Sequence, residues 1–220
     1  MHATTVIWVP GPWSDPDSVR VAVGEATMLT PPSVRLEPAP QGMAEIVFAS
    51  CLPGTFAVDE RGAIQEAQGC IFIEDMTGGG EVRAGHLMLL VQALLDIGGL
   101  AVKVESSGRS HSPRQWRSLN PQDAIHRMRA FVTLIGNAAD GYASCGMQSL
   151  GFPDVTLPGS TPASEVGAIL NSFNSMQLAD RTRAGKNATW NGYRMTRGRS
   201  RYTTDSVVHN PLGEWCLRRM

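Results

Sequence analysis

Residues capable of acid–base chemistry are most concentrated in one segment, ESSGRSHSPRQW (105–116). Glu105 or His111 can serve there as a general base, and Ser107 supplies a hydroxyl between them. A serine and a histidine in one segment lack the third group that orients a catalytic base, so catalysis is the minority hypothesis. On that hypothesis the protein is a small hydrolase or transferase.

The same segment contains residues suited to binding and to structure. Arg109 and Arg114 can bind an anion, and Trp116 can anchor a short helix or an interface. Ser112 precedes a proline and is followed three residues later by Gln115, which is the spacing of a capping box. The segment is therefore predicted to leave a buried strand and enter a capped helix.

Charge is distributed unevenly along the 220 residues, although the formal net charge is only −1. Residues 1–180 carry 10 basic and 18 acidic groups, whereas residues 181–220 carry nine basic and two acidic groups. With 42% hydrophobic residues, the chain does not have the composition of a disordered charged tail. It is a globular chain with an acidic first part and an arginine-rich last part.

Aromatic residues lie among the arginines of the last part, where Trp190, Tyr193, Arg194 and Arg197 are candidate binding residues. Such interleaving can bind nucleic acid through phosphate contacts and base stacking. The sequence pI of about 6.5 and the lack of a DNA or RNA motif disfavour that function. Pairing with the chain's own carboxylates and pairing with an acidic protein partner both remain open.

A turn-forming motif, HNPLGEW (209–215), contains the last two candidate binding residues. Asn-Pro and Leu-Gly are typical turn dipeptides. His209 and Asn210 are therefore expected to hydrogen-bond the backbone at a structural corner, with partner binding as the alternative.

The motifs of several enzyme and metal classes are missing from the sequence. It contains no Walker motif, GxSxG, HExxH or EF-hand loop. The four cysteines show no CxxC spacing, so we expect free thiols, no metal site and no cofactor. The glycines of TGGG (77–80) precede a helix, where a solvent turn is favoured over phosphate binding.

The first residues, MHATTVIWVPGP, carry no Lys or Arg before a short apolar run. This pattern is typical of a strand and not of a secretory signal. The longest apolar stretch is also too short to span a bilayer. We therefore expect a cytoplasmic protein without a membrane segment.

Four helix starts are predicted, each a capping residue followed by proline. They are Asp15-Pro16, Ser112-Pro113, Asn120-Pro121 and Thr161-Pro162. The third helix is expected to present an apolar face that reaches Ile135, and the fourth an apolar face from Val166 to Phe173. Another helix over Glu81–Asp96 is apolar nearly all round, so it is predicted to be central.

Short runs rich in β-forming residues predict eight strands. They are Thr4–Val9, Ser33–Glu37, Glu45–Ser50, Cys70–Glu74, Leu100–Glu105, Tyr142–Leu150, Thr189–Thr196 and Trp215–Arg219. Some strands follow one another without a helix, which favours an α+β fold with a mixed or largely antiparallel sheet. We predict four to five helices in one domain over residues 1–220, with two ferredoxin-like halves as one arrangement.

Four landmarks spread along the chain carry a family resemblance. They are VPGPW (9–13), GGLAVKVESSG with HSPRQW (98–116), GMQSLGFPD (146–154) and HNPLGEW (209–215). By these landmarks the chain resembles a bacterial family of domains of unknown function. The resemblance implies a cytoplasmic α+β protein, an accessory in bacterial competition or stress loci, and a toxin-neutralising role as one candidate function.

The preferred hypothesis is a non-enzymatic protein that binds another protein, such as an immunity protein. It accounts for the missing catalytic motifs and for scattered Trp and Arg residues, which suit interface anchors. The first alternative is a small hydrolase or transferase that uses the Glu105–His111 segment. The second is nucleic-acid binding through the arginine-rich C-terminal region.

Overall fold

Two β-sheets and six α-helices form the part of the chain that the computed structural model describes, residues 3–15, 31–180 and 189–220. The strands are β1 (Thr5–Gly11), β2 (Ser33–Pro38), β3 (Gly69–Asp75), β4 (Val102–Val104), β5 (Arg109–His111), β6 (Thr133–Asn137), β7 (Gly141–Cys145), β8 (Asp154–Leu157), β9 (Thr189–Trp190), β10 (Tyr193–Gly198) and β11 (Glu214–Arg219). The helices are α1 (Met43–Ala49), α2 (Val58–Gln65), α3 (Glu81–Asp96), α4 (Pro113–Arg117), α5 (Ala124–Phe131) and α6 (Ala163–Ala179), and a 3₁₀ turn covers Met147–Leu150. This content confirms the predicted α+β class, with six helices in place of four to five.

The first sheet is antiparallel throughout, in the order β2-β3-β1-β4-β5. Strand β1 lies at its centre, where Ile7 and Val9 are buried in the core on one face. Trp8 takes the opposite face and packs edge-on against Phe72. The order β4-β1-β3-β2 is that of a ferredoxin-like unit, and β5 extends it as a new edge.

The second sheet has the order β6-β7-β8-β11-β10-β9 and is mixed, because β8 and β11 run parallel. Helix α6 covers one face of it with Val166, Leu170 and Phe173, as the amphipathic pattern predicted. Six strands with a parallel pair do not form a ferredoxin-like half. The ferredoxin-like description therefore applies to the first sheet alone.

Helix α3 is the central element of the largest hydrophobic core, as its nearly continuous apolar sequence predicted. Leu87, Leu90 and Leu94 of this helix are buried there. The indole Nε1 of Trp116 in α4 donates to the backbone oxygen of Met88, at 3.3 Å. This contact fixes α4 on α3 and so holds the end of the 105–116 segment in place.

The 3₁₀ turn connects the two sheets. The Oγ1 of Thr5 in β1 donates to Ser149 Oγ at 2.9 Å, and the Gly80 N–H donates to the Ser149 carbonyl at 3.1 Å. Gly79 has a φ of 74°, and a Cβ there would clash with the carbonyl of Gln148. Thr77 is exposed and residues 78–80 are half-buried, so the predicted solvent turn also packs against the 3₁₀ turn on one side.

Two of the helix starts deviate from the prediction. The helix expected after Asn120-Pro121 begins only at Ala124, because the Asp123 carboxylate caps the N–H groups of Ile125 and His126. It ends at Phe131, so Ile135 lies in β6 and not on a helical face. The fourth helix begins at Ala163, one residue later than its capping pair predicted.

The remaining local predictions divide into confirmed and wrong ones. Ser112 forms the capping box with Gln115, whereas the predicted strand over Glu45–Ser50 is helix α1. The predicted strand Tyr142–Leu150 ends at Cys145, since Gly146 turns the chain into the 3₁₀ turn. The helix start at Asp15-Pro16 falls on the border of residues 16–30, which lie outside the described residues.

No helix within the described ranges is long and apolar enough to cross a membrane.

Candidate binding cleft

A cavity of about 590 Å³ lies between the free edge strands of the two sheets. Strand β5 of the first sheet and the start of β6 of the second sheet line it, together with the segment that follows α1. Helices α4 and α5 complete its walls with Gln115 and Arg129. We call this cavity the edge cleft, because it forms where the edges of two sheets approach each other.

The backbone of β5 is not available for pairing with an added strand. The N–H of Ser110, the central residue of β5, donates to the Ser50 carbonyl at 2.8 Å. Its neighbours in β5 pair with β4 on the other side. A ligand in the edge cleft therefore meets side chains in place of a free row of backbone donors.

Two arginines give the edge cleft a positive charge. The Nη1 of Arg109 donates to the Val132 carbonyl at 2.8 Å, which fixes the guanidinium at the cleft wall. Burial and the nearby positive charge of Arg129 lower the pKa of Arg109 from its ordinary value. Arg109 is half-buried and Arg129 is exposed, and together they form a cationic centre at the cleft wall.

The described residues that line the edge cleft include no Asp or Glu. Within the described part of the chain, no carboxylate forms an ion pair with Arg109 or Arg129, although seven other such pairs are formed. Ser110 is 4% exposed, and its buried Oγ has no hydrogen-bond partner among the described residues. The chain thus presents donors here and leaves the acceptor to a ligand.

His111 lies at the inner end of β5, where only 4% of its surface is exposed. Its Nε2 lies 2.9 Å from the Ala130 carbonyl, and its ring contacts Trp116 edge-on. Burial, with a smaller contribution from the Arg109 charge, lowers the pKa of His111 to about 4. His111 is therefore neutral at pH 7, with the proton on Nε2, because a carbonyl can only accept.

The other catalytic candidates lie elsewhere. Glu105 Oε2 lies 3.3 Å from the Nζ of buried Lys103, and the Oγ of buried Ser107 is 3.5 Å from the Val104 carbonyl. Lys103 pairs with Ser110 and is on the opposite sheet face from His111. The structure therefore does not bring Glu105 or Ser107 into hydrogen-bond contact with His111.

The candidate binding residues of the 105–116 segment have three different positions. Arg109 lines the edge cleft, Arg114 is exposed on α4 outside the cleft lining, and Trp116 is buried between α3 and α5. Of the three, only Arg109 combines a charged donor with a cavity.

The C-terminal candidates are mostly engaged by the protein itself. Trp190 is buried and packs edge-on against Phe173 at 5.1 Å between ring centroids, and Tyr193 is half-buried beside it. The Arg197 guanidinium stacks over the Trp215 ring at 4.8 Å and donates to the Leu212 carbonyl. By contrast, Arg194 is exposed and lies opposite Arg218 in the sheet.

His209 and Asn210 have the structural contacts that the turn motif predicted. His209 Nδ1 lies 2.9 Å from the Tyr202 carbonyl. Asn210 is buried, and its Nδ2 donates to the Phe152 carbonyl at 3.0 Å and to Asp154 Oδ2 at 2.9 Å. These contacts attach the loop before β11 to the start of β8.

Asp154 is the centre of a second polar region, the Asp154 network. Its Oδ1 accepts from Ser144 Oγ at 3.3 Å and from the Met147 N–H at 3.2 Å, and its Oδ2 accepts from Asn210. Burial raises the pKa of this carboxyl to about 7, although the three hydrogen bonds act in the opposite direction. None of the four residues of this network lines the edge cleft.

The thiols carry no sign of a reactive or metal-binding role. All four cysteines are free, and burial raises the pKa of Cys70 and Cys145 to about 12. These two thiols are protonated at neutral pH and are poor nucleophiles. Among the described residues, no cluster of three His, Cys, Asp or Glu side chains could hold a metal ion.

Two residues of these regions were missed in the sequence. Arg129 belongs to the predicted helix after Asn120, but helical periodicity says nothing about which strand edge lies across from it. Asp154 ends the turn GFPD, and the carboxylate after a tight turn was a signal that could have marked it.

No family model matches the chain, and no curated protein or solved structure matches it either.

Proposed function

We propose that this chain is a non-enzymatic, protein-binding accessory protein that holds an acidic segment of a partner in the edge cleft. The observation that supports this is the Arg109–Arg129 pair, two guanidinium groups beside a cavity with no carboxylate in its described lining. A carboxylate from a partner would relieve the repulsion between the two arginines and form charge-assisted hydrogen bonds with them.

The rim of the edge cleft favours a protein segment over a small inorganic anion. Leu52 and Leu134 line the cleft and are 71% and 36% exposed. Arginine is enriched in protein–protein interfaces, and the buried core of an interface is more apolar than the rest of the protein surface. Burying the two leucines against apolar atoms of a partner would add a hydrophobic contribution to the electrostatic one.

The geometry around His111 supports a binding function over the hydrolase or transferase alternative. A general base has to reach a substrate proton in its deprotonated state and needs a pKa near the working pH. The pKa of His111 is about 4, and its Nε2 proton is directed to the backbone carbonyl of Ala130. Its ring is a buried structural support for β5 and α4.

The biological setting follows from the family resemblance, and it is part of this proposal. In a bacterial cytoplasm, an accessory protein of a competition locus would bind a toxin and occupy a segment that the toxin needs. The proposed immunity protein would therefore recognise an acidic surface segment of its toxin through the edge cleft.

Fluorescence anisotropy with a labelled eight-residue peptide of alternating Glu and Leu tests the binding function. We expect the double charge reversal Arg109→Glu with Arg129→Glu to weaken binding at least tenfold, because the cleft then repels the peptide. The matched control is Arg114→Glu, an exposed charge reversal outside the cleft lining, which should change the affinity by less than about twofold.

Thermal unfolding of all three proteins must first show that the variants are folded. Equal affinity of the double variant and the native chain, or no binding of the native chain at low salt, would overturn the proposal. A partner from the native cell should show the same pattern, with capture by the native chain and by Arg114→Glu but not by the double variant.

A further inference from the structure

Strand β2 forms the edge of the first sheet opposite to β5 and the edge cleft, and among the described residues no strand pairs with its outer side. Val34 and Leu36 are half-buried against the core face of the sheet, and Arg35 and Glu37 lie on the other face. Arg35 Nη1 lies 3.4 Å from Glu37 Oε1, and these side chains are 59% and 46% exposed. Strand β2 is thus an open edge that carries one charge of each sign.

Backbone hydrogen bonds show which residues of β2 face β3. In an antiparallel pair, one residue directs both its N–H and its C=O to the partner strand, and the next directs both away. The Ala39 N–H donates to the Gln68 carbonyl at 3.0 Å, which continues the β2–β3 register by one residue beyond the strand. Counting back from Ala39 in steps of two, Glu37 and Arg35 direct their backbone groups to β3.

The alternate residues of β2 direct their backbone groups away from the sheet. These groups are the N–H and C=O of Val34 and Leu36 and the carbonyl of Pro38. Proline has no N–H, so Pro38 offers only an acceptor. The outer side of β2 is therefore a short row of donors and acceptors that has its proline at the end and not in the middle.

We propose that β2 pairs with β2 of a second copy of this chain, antiparallel and about a two-fold axis at Leu36. Each Leu36 N–H then donates to the Leu36 carbonyl of the other copy, and each Val34 N–H donates to the carbonyl of the opposite Pro38. Both outward donors of each copy are satisfied, and the N–H that Pro38 lacks is not needed. The two first sheets join into one continuous antiparallel sheet.

Charge favours this register over the alternatives. Arg35 of each copy lies opposite Glu37 of the other, at positions without backbone hydrogen bonds across the interface, where opposing side chains are closest. A slip by two residues is the next that keeps donors opposite acceptors. It sets Arg35 against Arg35 or Glu37 against Glu37, and like charges directly opposite are destabilising.

Prolines and charged side chains often protect an edge strand from pairing with another chain. In β2 neither prevents pairing with a second copy, because Pro38 lies opposite a donor and the two charges complement their own symmetry image. On the core face, Leu36 would contact Leu36 and Val34 would contact Pro38. The apolar surface that these half-buried side chains leave at the edge is thereby removed from water.

The pairing is independent of the proposed function. Strands β2 and β5 are the two opposite edges of the first sheet, so the dimer uses the edge farthest from Arg109. Each copy keeps its edge cleft open, and a single cleft should bind an acidic peptide equally well in the monomer and in the dimer.

Sedimentation analysis of two charge reversals tests the pairing. We expect the native chain to pass from monomer to dimer between micromolar and near-millimolar concentrations. Arg35→Glu and Glu37→Arg should each weaken dimerisation by roughly tenfold or more, because both ion pairs become repulsions. An equimolar mixture of the two variants should dimerise again, because two acidic side chains of one copy then lie opposite two basic side chains of the other.

The matched controls are Asp59→Arg and Arg114→Glu, exposed charge reversals of the same two signs on α2 and α4. Both should dimerise as the native chain does. Thermal unfolding of every variant shows that it is folded. Arg35→Glu should also bind the labelled acidic peptide with native affinity.

Three outcomes would show that the inference is wrong. They are a native chain that stays monomeric at near-millimolar concentration, variants and controls that dimerise alike, and a mixture of folded variants that does not recover the dimer. None of them bears on peptide binding at the edge cleft. Conversely, a native chain that dimerises as expected but binds no acidic peptide would overturn the proposed function and leave the dimer standing.

Discussion

The edge cleft and the Asp154 network are both rich in polar groups, but they differ in whether the chain itself supplies the partner of opposite charge. At Asp154 the chain provides three donors to one carboxylate, from Ser144, Met147 and Asn210. At the edge cleft it provides two cationic donors and, within the described residues, no carboxylate. A polar region completed from within serves the fold, whereas one that lacks a partner and borders a cavity is suited to a ligand.

Each region also contains one buried titratable group, and burial moves the two pKa values in opposite directions. His111 has a pKa of about 4 and Asp154 a pKa of about 7. Both shifts have the same leading cause, since burial disfavours the charged form of either group. Histidine loses its proton more easily as a result, and the carboxyl group keeps its proton longer.

Removing the centre of the Asp154 network should have the largest effect on stability. Asp154→Ala leaves the Met147 N–H, Ser144 Oγ and Asn210 amide without their shared acceptor. We expect the free energy of unfolding to fall by about 3 kcal/mol, as is usual when a buried hydrogen-bond network loses a member. Urea unfolding at pH 6 measures it.

The control for that variant is Asp59→Ala, which removes an exposed carboxylate in the first turn of α2. We expect a much smaller loss of stability there. The folded fraction of Asp154→Ala should still bind the glutamate–leucine peptide with native affinity. A weaker affinity in that variant would show that the network and the edge cleft are not independent.

The pH dependence of stability should reveal the opposite pKa shifts of His111 and Asp154. Between pH 3.8 and about 7, Asp154 is ionised in the unfolded chain but protonated in the fold, so its contribution falls as pH rises. Between about pH 4 and 6.5, His111 is charged in the unfolded chain but neutral in the fold, so its contribution rises with pH. Between about pH 4 and 6.5, the two groups therefore contribute opposite slopes to the free energy of unfolding plotted against pH, and these contributions cancel.

Single substitutions should therefore expose slopes of opposite sign. In His111→Gln, the free energy of unfolding should fall relative to the native chain by about 1.4 kcal/mol per pH unit as pH rises from 4 to 6.5. In Asp154→Asn it should rise by a similar amount over the same interval. Urea unfolding at five pH values measures both slopes, and parallel curves for the two variants would contradict the assignment.

The smallest effect expected is electrostatic and confined to the edge cleft. Arg109→Gln removes a positive charge near His111, so the pKa of His111 should rise above about 4. It should stay below 6.5, because burial is the larger cause of the shift and is unchanged. NMR titration of the imidazole measures it, and Arg114→Gln, outside the cleft lining, should leave the pKa unaltered.

The parts of this molecule that were predictable from sequence are those fixed by local chemistry. The Ser112 capping box and the amphipathic face of α6 depend on neighbours within a few residues, and both were found. Helix α1 was assigned as a strand because its run of Ile46, Val47 and Phe48 has high β propensity, which tertiary packing overrode.

The edge cleft was only half predictable, for a physical reason. Arg109 belongs to a conspicuous polar segment, so its chemistry was visible in the sequence. Arg129 acquires its role because the edges of two sheets approach each other across α5. The β-branched residues Val132, Thr133 and Ile135 favour a strand, but Ile135 was assigned to the apolar face of the preceding helix. Strand β6 was therefore missed, and with it the meeting of the two edges.

The position of β11 in the second sheet sets an order for folding during synthesis. Strand β11 lies between β8 and β10, in the middle of the sheet, so the sheet cannot close until residue 219 has left the ribosome. The first sheet needs nothing beyond His111. At translation rates of roughly 5–20 residues per second, the two events are separated by on the order of ten seconds. From the synthesis of β8 until that of β11, β8 has an unpaired edge on the nascent chain, and an unpaired strand edge can pair with another chain.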